Sequence, residues 1–348
     1  MGAALGVLAL IAGACVFSLL NPGWLNAARP APSPTRVEAS PQPIQNDDDL
    51  PVPPPTRVGP AAPTPTLVPL PTASGAACGG PERMTIALLG VDSRESDYAR
   101  PTRTDSILLV TVNFKTRTAA MLSFPRDLYV PLPNLQNVGI DQSRLNTAFL
   151  YGEVYGVPGG GPAEFKDTIA LNFAIRVDRY VMVNFGAFEA AVDALGGIDV
   201  DVPEAIHDPE FPTEDGGTMT LDLPAGLQHM DGQMALRYAR TRHQDDDYHR
   251  IQRQPLVLLA IRDKLLSPAV IPQIPALLQT MGNLVRTDLN PEEIAALACV
   301  GPQIDRSTVT ALAIDGTMVI PWTTPTGGHV SIPNRKVIAP IVERFLGQ

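Results

Sequence analysis

The sequence has little cysteine, lysine or aromatic residue. Its three cysteines, Cys15, Cys78 and Cys299, lie too far apart for a close-spaced metal-binding cluster. Arginine accounts for 22 of the 26 basic residues, and the net charge of −10 argues against a general nucleic-acid-binding surface. Because arginine binds phosphate with two parallel hydrogen bonds, the arginines are candidate phosphate-binding residues.

Cys15 lies in an apolar N-terminal stretch, whereas Cys78 and Cys299 have no such explanation. If the folded part of the chain lies outside the cytoplasm, where disulfides persist, these two cysteines are predicted to pair.

The chain divides into three parts by composition. Residues 1–20 contain an uncharged run, Ala3 to Leu20, long enough for a short transmembrane anchor, with a cleaved signal peptide as the alternative. About a quarter of residues 21–83 are proline, which predicts an extended, disordered linker. Residues 84–348 form the predicted folded domain, with a variable C-terminal part from about 267.

The pattern of apolar residues in this domain predicts strands interleaved with helices. MTIALLGVD, SILLVTVNF, TAAMLSF and RYVMVNF have the character of strands, and a turn at Lys115–Thr116 joins the second to the third. AEFKDTIALNFAI, AFEAAVDALGG, LVLLAIRDKLL, PEEIAALAC and PIVERFL have helical spacing. The expected fold class is therefore α/β, with mixed α+β layers around a central mixed sheet.

Acidic and basic residues follow the early strands. Asp92 ends the first strand, Arg103 and Asp105 begin the second, and Arg126 and Asp127 follow the third. Two carboxylates brought together by neighbouring strands would suit Mg²⁺ (or Mn²⁺), which favours carboxylate and phosphate oxygens. The alternative is that these aspartates cap turns.

A second polar segment, RYARTRHQDDDYHRIQRQ, spans residues 237–254. We interpret YARTR as a strand, on which Arg240 and Arg242 would share one face. Asp247 is a candidate N-cap of a helix on which Arg250 and Gln254 share a face. Pro255 is expected to break or kink that helix. The alternative is a solvated charged surface.

The domain from Met84 to about Leu266 resembles the LytR-CpsA-Psr family of cell-envelope glycopolymer ligases. The resemblance rests on LLGVDSR, RTDSILLVTVN, MLSFPRDLYV, LNTAF, YVMVNFGAFEAAVDALGGIDVDVP and RYARTRHQDDDYHRIQRQ. It implies a phosphotransferase that moves a glycopolymer from polyprenyl pyrophosphate to a peptidoglycan hydroxyl, forming a phosphodiester and releasing polyprenyl phosphate. It also implies a hydrophobic pocket for the polyprenyl tail. We expect a single-pass protein of the cell membrane with its catalytic domain outside.

The resemblance also implies residue roles. Asp92 and Asp105 would bind the metal, and the pyrophosphate would be bound by Arg103, Arg126, Arg240, Arg242, Arg250 and Gln254. Asp127 or Asp247 could assist deprotonation or orient an arginine, and for Asp127 we expect the orienting role. We expect Arg286 and Arg306 to be ordinary surface residues. The competing functions are a pyrophosphate hydrolase and a non-catalytic lipid-glycan binder that regulates the envelope.

Overall fold

A computed structural model describes residues 78–92, 102–213, 216–241, 247–267 and 285–347, and only the backbone of residues 247–249. The predicted anchor and nearly all of the predicted linker lie outside these ranges. In the described part of the chain, no helix is long and apolar enough to cross a membrane.

A six-stranded mixed sheet forms the centre of the domain. Its strands are β1 (Arg83–Val91), β2 (Thr104–Asn113), β3 (Thr118–Phe124), β6 (Arg179–Asn184), β11 (Val285–Thr287) and β12 (Thr310–Ala313). They lie side by side in the order β11-β6-β1-β2-β3-β12. The strand β1 pairs antiparallel with β2 and parallel with β6, while β3 pairs antiparallel with β2 and parallel with β12. The predicted hairpin and central mixed sheet are confirmed.

Eight further strands form four two-stranded sheets around the centre. These are β4 (Tyr129–Pro131) with β5 (Gln142–Arg144), β7 (Ile198–Val202) with β10 (Gly226–Met230), β8 (Ile206–Pro212) with β9 (Thr218–Leu223), and β13 (Val319–Thr323) with β14 (His329–Pro333).

The helices cover both faces of the central sheet. They are α1 (Ala148–Val154), α2 (Gly160–Phe173), α3 (Phe185–Ala194), α4 (Gly232–Arg240), α5 (Asp247–Leu265), α6 (Pro291–Val300) and α7 (Arg335–Leu346). Because alternate residues of a strand point to opposite faces, Leu88 and Leu108 join one core, and Leu89 and Leu109 join the other. The first core lies under α3, α4, α5 and α6, and the second under α1, α2 and α7.

Two predictions about the segment 237–254 are wrong. Tyr238 and Arg240 lie on α4 and not on a strand, because Ala235, Leu236 and Ala239 are buried at helical spacing. The helix α5 continues through Pro255, so Arg250 and Gln254 share one helix with the apolar segment that follows. Burial of Val257, Leu258 and Ile261 against the sheet outweighs the hydrogen bond that proline cannot donate.

Of two other expectations, one is confirmed and one is wrong. The predicted disulfide is present, since Cys78 and Cys299 are bonded with their Cα atoms 5.5 Å apart. Arg286 is not an ordinary surface residue, because its guanidinium donates to Glu153 at 2.7 Å and lies 5.4 Å from the ring centre of Phe149. Burial acts to lower the pKa of the Arg286 guanidinium, but the phenol of Tyr180 and the carboxylate of Glu153 together outweigh it, so the pKa is raised.

Candidate active site

A cleft opens at the end of the sheet where β1 ends and β2 begins. Gly90 and Asp92 reach it from β1, and Asp105 and Ser106 from β2. The register between these strands shifts here, with Gly90 opposite Ser106 and Val91 opposite Thr104. Asp105 is therefore the extra residue of a β-bulge, an irregularity that redirects side chains and is common beside active sites.

Asp105 is fixed by two neighbours. Arg126, which follows β3, donates from Nη1 to Asp105 Oδ1 at 2.9 Å. Asn146 Nδ2 lies 3.4 Å from the same oxygen. Both bonds use Oδ1, so within the described part of the chain Oδ2 of Asp105 is left for a ligand that enters the cleft.

Helices form another wall of the cleft and contribute two more arginines, Arg240 and Arg250. Arg240, the last residue of α4, places its guanidinium 4.2 Å from the ring centre of Phe185 at the start of α3. The planar guanidinium and the aromatic face attract each other, so this contact holds the arginine at the cleft. Arg250 and Gln254 lie one turn apart on α5 and also line the cleft.

The polar groups of α5 are deeply buried. Arg250 is 6% exposed and Gln254 is 3% exposed. Gln254 Oε1 and Ser106 Oγ are buried without a hydrogen bond from any part of the chain that the structure describes. Since buried polar atoms in folded proteins almost always have partners, these two are poised for a ligand with hydrogen-bonding groups.

A buried hydrogen-bond network fixes the end of α4 against α5. Arg253 Nη1 donates to the carbonyl of Thr241 at 2.7 Å, and the Thr241 hydroxyl donates to the carboxylate of Asp208, which is fully buried. The network therefore sets the distance between Arg240 at the end of one helix and Arg250 on the next.

A second, apolar cleft lies farther along the same face of the sheet. Its lining includes Val112 and Met121 of the sheet, Leu259 and Leu266 of the α5 segment, and Val300 of α6. The helix α5 therefore borders both clefts, the polar one with Arg250 and Gln254 and the apolar one with Leu259.

The structure brings six of the predicted residues to one cleft: Asp92, Asp105, Arg126, Arg240, Arg250 and Gln254. Arg103 is half-buried just before β2 and is not part of the lining. Asp127 accepts a hydrogen bond from the Ser331 hydroxyl at 2.8 Å. Its side chain is therefore held by a serine and not, as expected, by an arginine. Arg242 lies outside the described residues, and of Asp247 only the backbone at the start of α5 is described.

The sequence pattern does not indicate the other lining residues, of which Ser106 and Phe185 bear most on the site. Ser106 follows Asp105 directly, but only the bulge reveals that both reach the cleft. Phe185 is the last residue of the predicted strand RYVMVNF, and its contact with Arg240 depends on the packing of α3 against α4.

Comparisons with known proteins agree on one family. The LytR_cpsA_psr family model matches residues 75–331. The polyisoprenyl-teichoic acid–peptidoglycan teichoic acid transferase TagU of Oceanobacillus iheyensis is 32% identical over 68% of this chain and 68% of its own length. The corresponding transferase TagT of Bacillus subtilis is 35% identical over 63% of this chain and 64% of its own length.

Solved structures give the same result. The structure of TagT bound to LIIa-WTA covers 77% of this chain and 92% of its own, with 27% identity and a TM-score of 0.58. Since the family model spans most of the chain and the fold agrees, the protein belongs to the LytR_cpsA_psr family.

Proposed function

We propose that this protein transfers a phosphate-linked glycopolymer from a polyprenyl-pyrophosphate carrier to a hydroxyl of peptidoglycan. The acceptor hydroxyl loses its proton to solvent or to the leaving phosphate as its oxygen forms a bond to the glycan-linked phosphorus. The bond from that phosphorus to the bridging oxygen breaks, and polyprenyl phosphate leaves with the electron pair. Relatives named for the transfer of teichoic acid from a polyisoprenyl carrier to peptidoglycan support the proposal.

The observation that carries the proposal is the convergence of Arg126, Arg240 and Arg250 on one cleft. A pyrophosphate concentrates several negative charges, and guanidinium groups bind such oxygens with strong, directional hydrogen bonds. Because Arg250 and Gln254 are buried, their interactions with a phosphate are screened little by water. Phosphoryl transfer depends mainly on such positioning and charge stabilisation.

The cleft also fits a divalent cation, Mg²⁺ (or Mn²⁺). Among the described residues no three acidic, histidine or cysteine side chains form a ready-made metal site. Magnesium needs no such cage, because one or two carboxylates plus substrate phosphates usually hold it. Asp92 and Asp105 are the two carboxylates, and a bound cation would neutralise charge on the phosphate oxygens.

The apolar cleft beside α5 supplies a site for the polyprenyl tail. It lies on the same sheet face as the arginines, and its lining is almost entirely aliphatic. Burying an apolar chain there would contribute about 25 cal/mol for each Å² removed from water. The carrier would thus extend along α5, with its pyrophosphate at Gln254 and its tail toward Leu266.

We place the catalytic domain outside the cytoplasm, tethered by residues 1–20 to the membrane. The Cys78–Cys299 disulfide supports this location, because such bonds persist in oxidising compartments. The proline-rich segment 21–83 would let the domain reach from the lipid carrier to the wall.

The test is a turnover assay with purified donor lipid and Mg²⁺, with and without peptidoglycan fragments. Transfer predicts a phosphodiester-linked product only when acceptor is present. Equal phosphate release without acceptor would identify a hydrolase, and tight donor binding without turnover would identify a carrier-binding regulator.

A variant pair assigns the activity to the cleft. Arg250→Ala should lose turnover, while Arg344→Ala, an exposed arginine on α7, should retain it. A thermal melt of both variants verifies that the domain remains folded.

A further inference from the structure

Four aromatic side chains form a surface patch: Tyr129, Tyr151, Tyr155 and Trp322, with Tyr129 close enough to Tyr151 to interact electrostatically. The rings of Tyr129 and Trp322 lie 5.6 Å apart, as do those of Tyr151 and Tyr155. Trp322 is 43% exposed, and the three tyrosines are partly exposed. The whole chain has only 2 tryptophans and 7 tyrosines, so nearly half of these residues lie in this one patch.

The patch is linked to the cleft through the chain segment that begins at Arg126, which lines the cleft. Tyr129 follows Arg126 by three residues, so their Cα atoms are at most about 11 Å apart. Asp127 lies between them and accepts hydrogen bonds from the Ser331 hydroxyl at 2.8 Å and the Ser331 amide at 3.1 Å. These bonds hold the β13–β14 hairpin, and with it Trp322, in a fixed position relative to Arg126.

The patch and the apolar cleft lie on opposite sides of the central sheet. The apolar cleft belongs to the core that contains Val110 and α5, whereas Tyr151 and Tyr155 pack against the other core. In phosphoryl transfer the attacking and leaving oxygens are roughly in line. If polyprenyl phosphate departs toward α5, an acceptor held on the patch would approach from the Arg126 side of the cleft.

We propose that this aromatic patch binds the glycan strand that carries the acceptor hydroxyl. The proposal rests on the transferase function argued above and identifies the acceptor's binding surface. Pyranose rings present C–H groups on their faces, and the electron-rich faces of tryptophan and tyrosine attract them. Tyrosine and tryptophan also supply large contact areas at low cost in conformational entropy.

The phenols add polar recognition. Burial raises the pKa of Tyr129 and of Tyr155, with the neighbouring Tyr151 as a second cause in both. Their hydroxyls therefore remain protonated at neutral pH and can donate hydrogen bonds to sugar oxygens.

Fluorescence measures glycan binding without any need for turnover. Trp24 and Trp322 are the two tryptophans of the chain, so Trp322 is the sole emitter in a full-length Trp24→Phe variant. Titration with chitotetraose, a β-linked N-acetylglucosamine oligomer, should change this emission in a saturable manner. Tyr129→Ala in the same background should weaken the titration by about 10-fold, in the range of an aromatic contact residue.

Kinetics then separate acceptor from donor. Trp322→Ala should raise KM for peptidoglycan fragments by about 10-fold and leave donor KM unchanged, while Trp322→Phe restores most of the loss. Ile320→Ala is the matched control, because Ile320 is an exposed apolar residue of the same strand. Its acceptor KM should equal that of the unmodified protein.

Three results would overturn the proposal. Unchanged emission with chitotetraose would show that the patch does not bind such glycans. A rise in donor KM instead of acceptor KM would assign the patch to the donor's own glycan. Equal effects of the Trp322 and Ile320 variants would indicate a purely structural hairpin. Saturable binding in a chain without transferase turnover would instead count against the proposed function and retain the glycan-binding surface.

Discussion

The position of Asp105 depends on a single irregularity in the sheet. The bulge that separates the pairs Gly90–Ser106 and Val91–Thr104 leaves Asp105 without a partner across the strands. Its Oδ1 is occupied by Arg126 and Asn146, and within the described part of the chain the second oxygen is left for a cation. The carboxylate thereby connects the proposed metal to an arginine of the pyrophosphate site.

Asp105→Asn should make activity independent of added Mg²⁺ and lower it by about 100-fold or more. The amide lacks the negative charge that attracts the cation, and a metal ion stabilises transition-state charge by several kcal/mol. Turnover is measured across a magnesium titration, with exposed Asp141→Asn as the control. Undiminished activity of the unmodified protein in excess chelator would show that these aspartates are structural.

Gln254→Ala should weaken binding of the pyrophosphate lipid by about 10-fold. The loss corresponds to one hydrogen bond to a charged group in a buried site. Gln252, two residues earlier on α5, is exposed and provides a matched control. Isothermal titration with a short-chain polyprenyl pyrophosphate compares Gln254→Ala with Gln252→Ala, and equal affinities would exclude Gln254 from the site.

At the scale of elements, α5 is the helix that lines both the polar and the apolar cleft. It carries Arg250 and Gln254 in its first half and Leu259 in its second, and Val257, Leu258 and Ile261 pack on the sheet. A break at Pro255 would have separated the two clefts. Because the helix is continuous, it holds the two clefts in a fixed position relative to each other.

The disulfide joins the start of the domain to α6. Because 221 residues separate Cys78 from Cys299, the bridge restricts the unfolded chain strongly and should stabilise the domain by about 2–5 kcal/mol. Denaturant unfolding of a Cys78→Ser, Cys299→Ser double variant measures this difference. Free-thiol counting on the denatured, unreduced protein provides the check, since reactive thiols at both positions would disprove the bridge.

Glu164 on α2 makes stability depend on pH. It is fully buried, and burial raises the pKa of its carboxyl above the ordinary 4.5, while Thr168 and Asn134 partly oppose the shift. The folded chain thus holds a proton that the unfolded chain releases, so stability is lost as pH rises from about 4.5 through the folded-state pKa.

Glu164→Gln should remove that loss. The variant's free energy of unfolding should exceed that of the unmodified protein by a margin that grows from pH 4 to pH 8. Urea unfolding at both values measures it, with exposed Glu343→Gln as the control. A margin that shrinks with rising pH would mean that Glu164 is ionised in the folded state.

At the scale of the molecule, the sequence predicted the central layers better than the elements around them. The strands β1, β2 and β3 are long apolar runs because both faces of the sheet are covered, and such runs are easy to recognise. The strand β8 contains Pro209 and Pro212 and alternates with charged residues, so no apolar run marks it.

The candidate site was predictable only in part, and for a physical reason. The family resemblance identified the arginines and aspartates, but local pattern assigned Arg240 to a strand. The buried face of α4, formed by Ala235, Leu236 and Ala239, decides that segment, and burial depends on tertiary packing. The same holds for Ser106 and the aromatic patch, whose members come from distant parts of the chain.

The most direct measurement is a crystal structure of the protein with a short-chain polyprenyl pyrophosphate and Mn²⁺, whose anomalous scattering locates the metal. We predict Mn²⁺ between the carboxylates of Asp92 and Asp105, phosphate oxygens on Arg126, Arg240 and Arg250, and the tail along α5 toward Leu266. A pyrophosphate bound outside this cleft, with its arginines unengaged, would contradict the account.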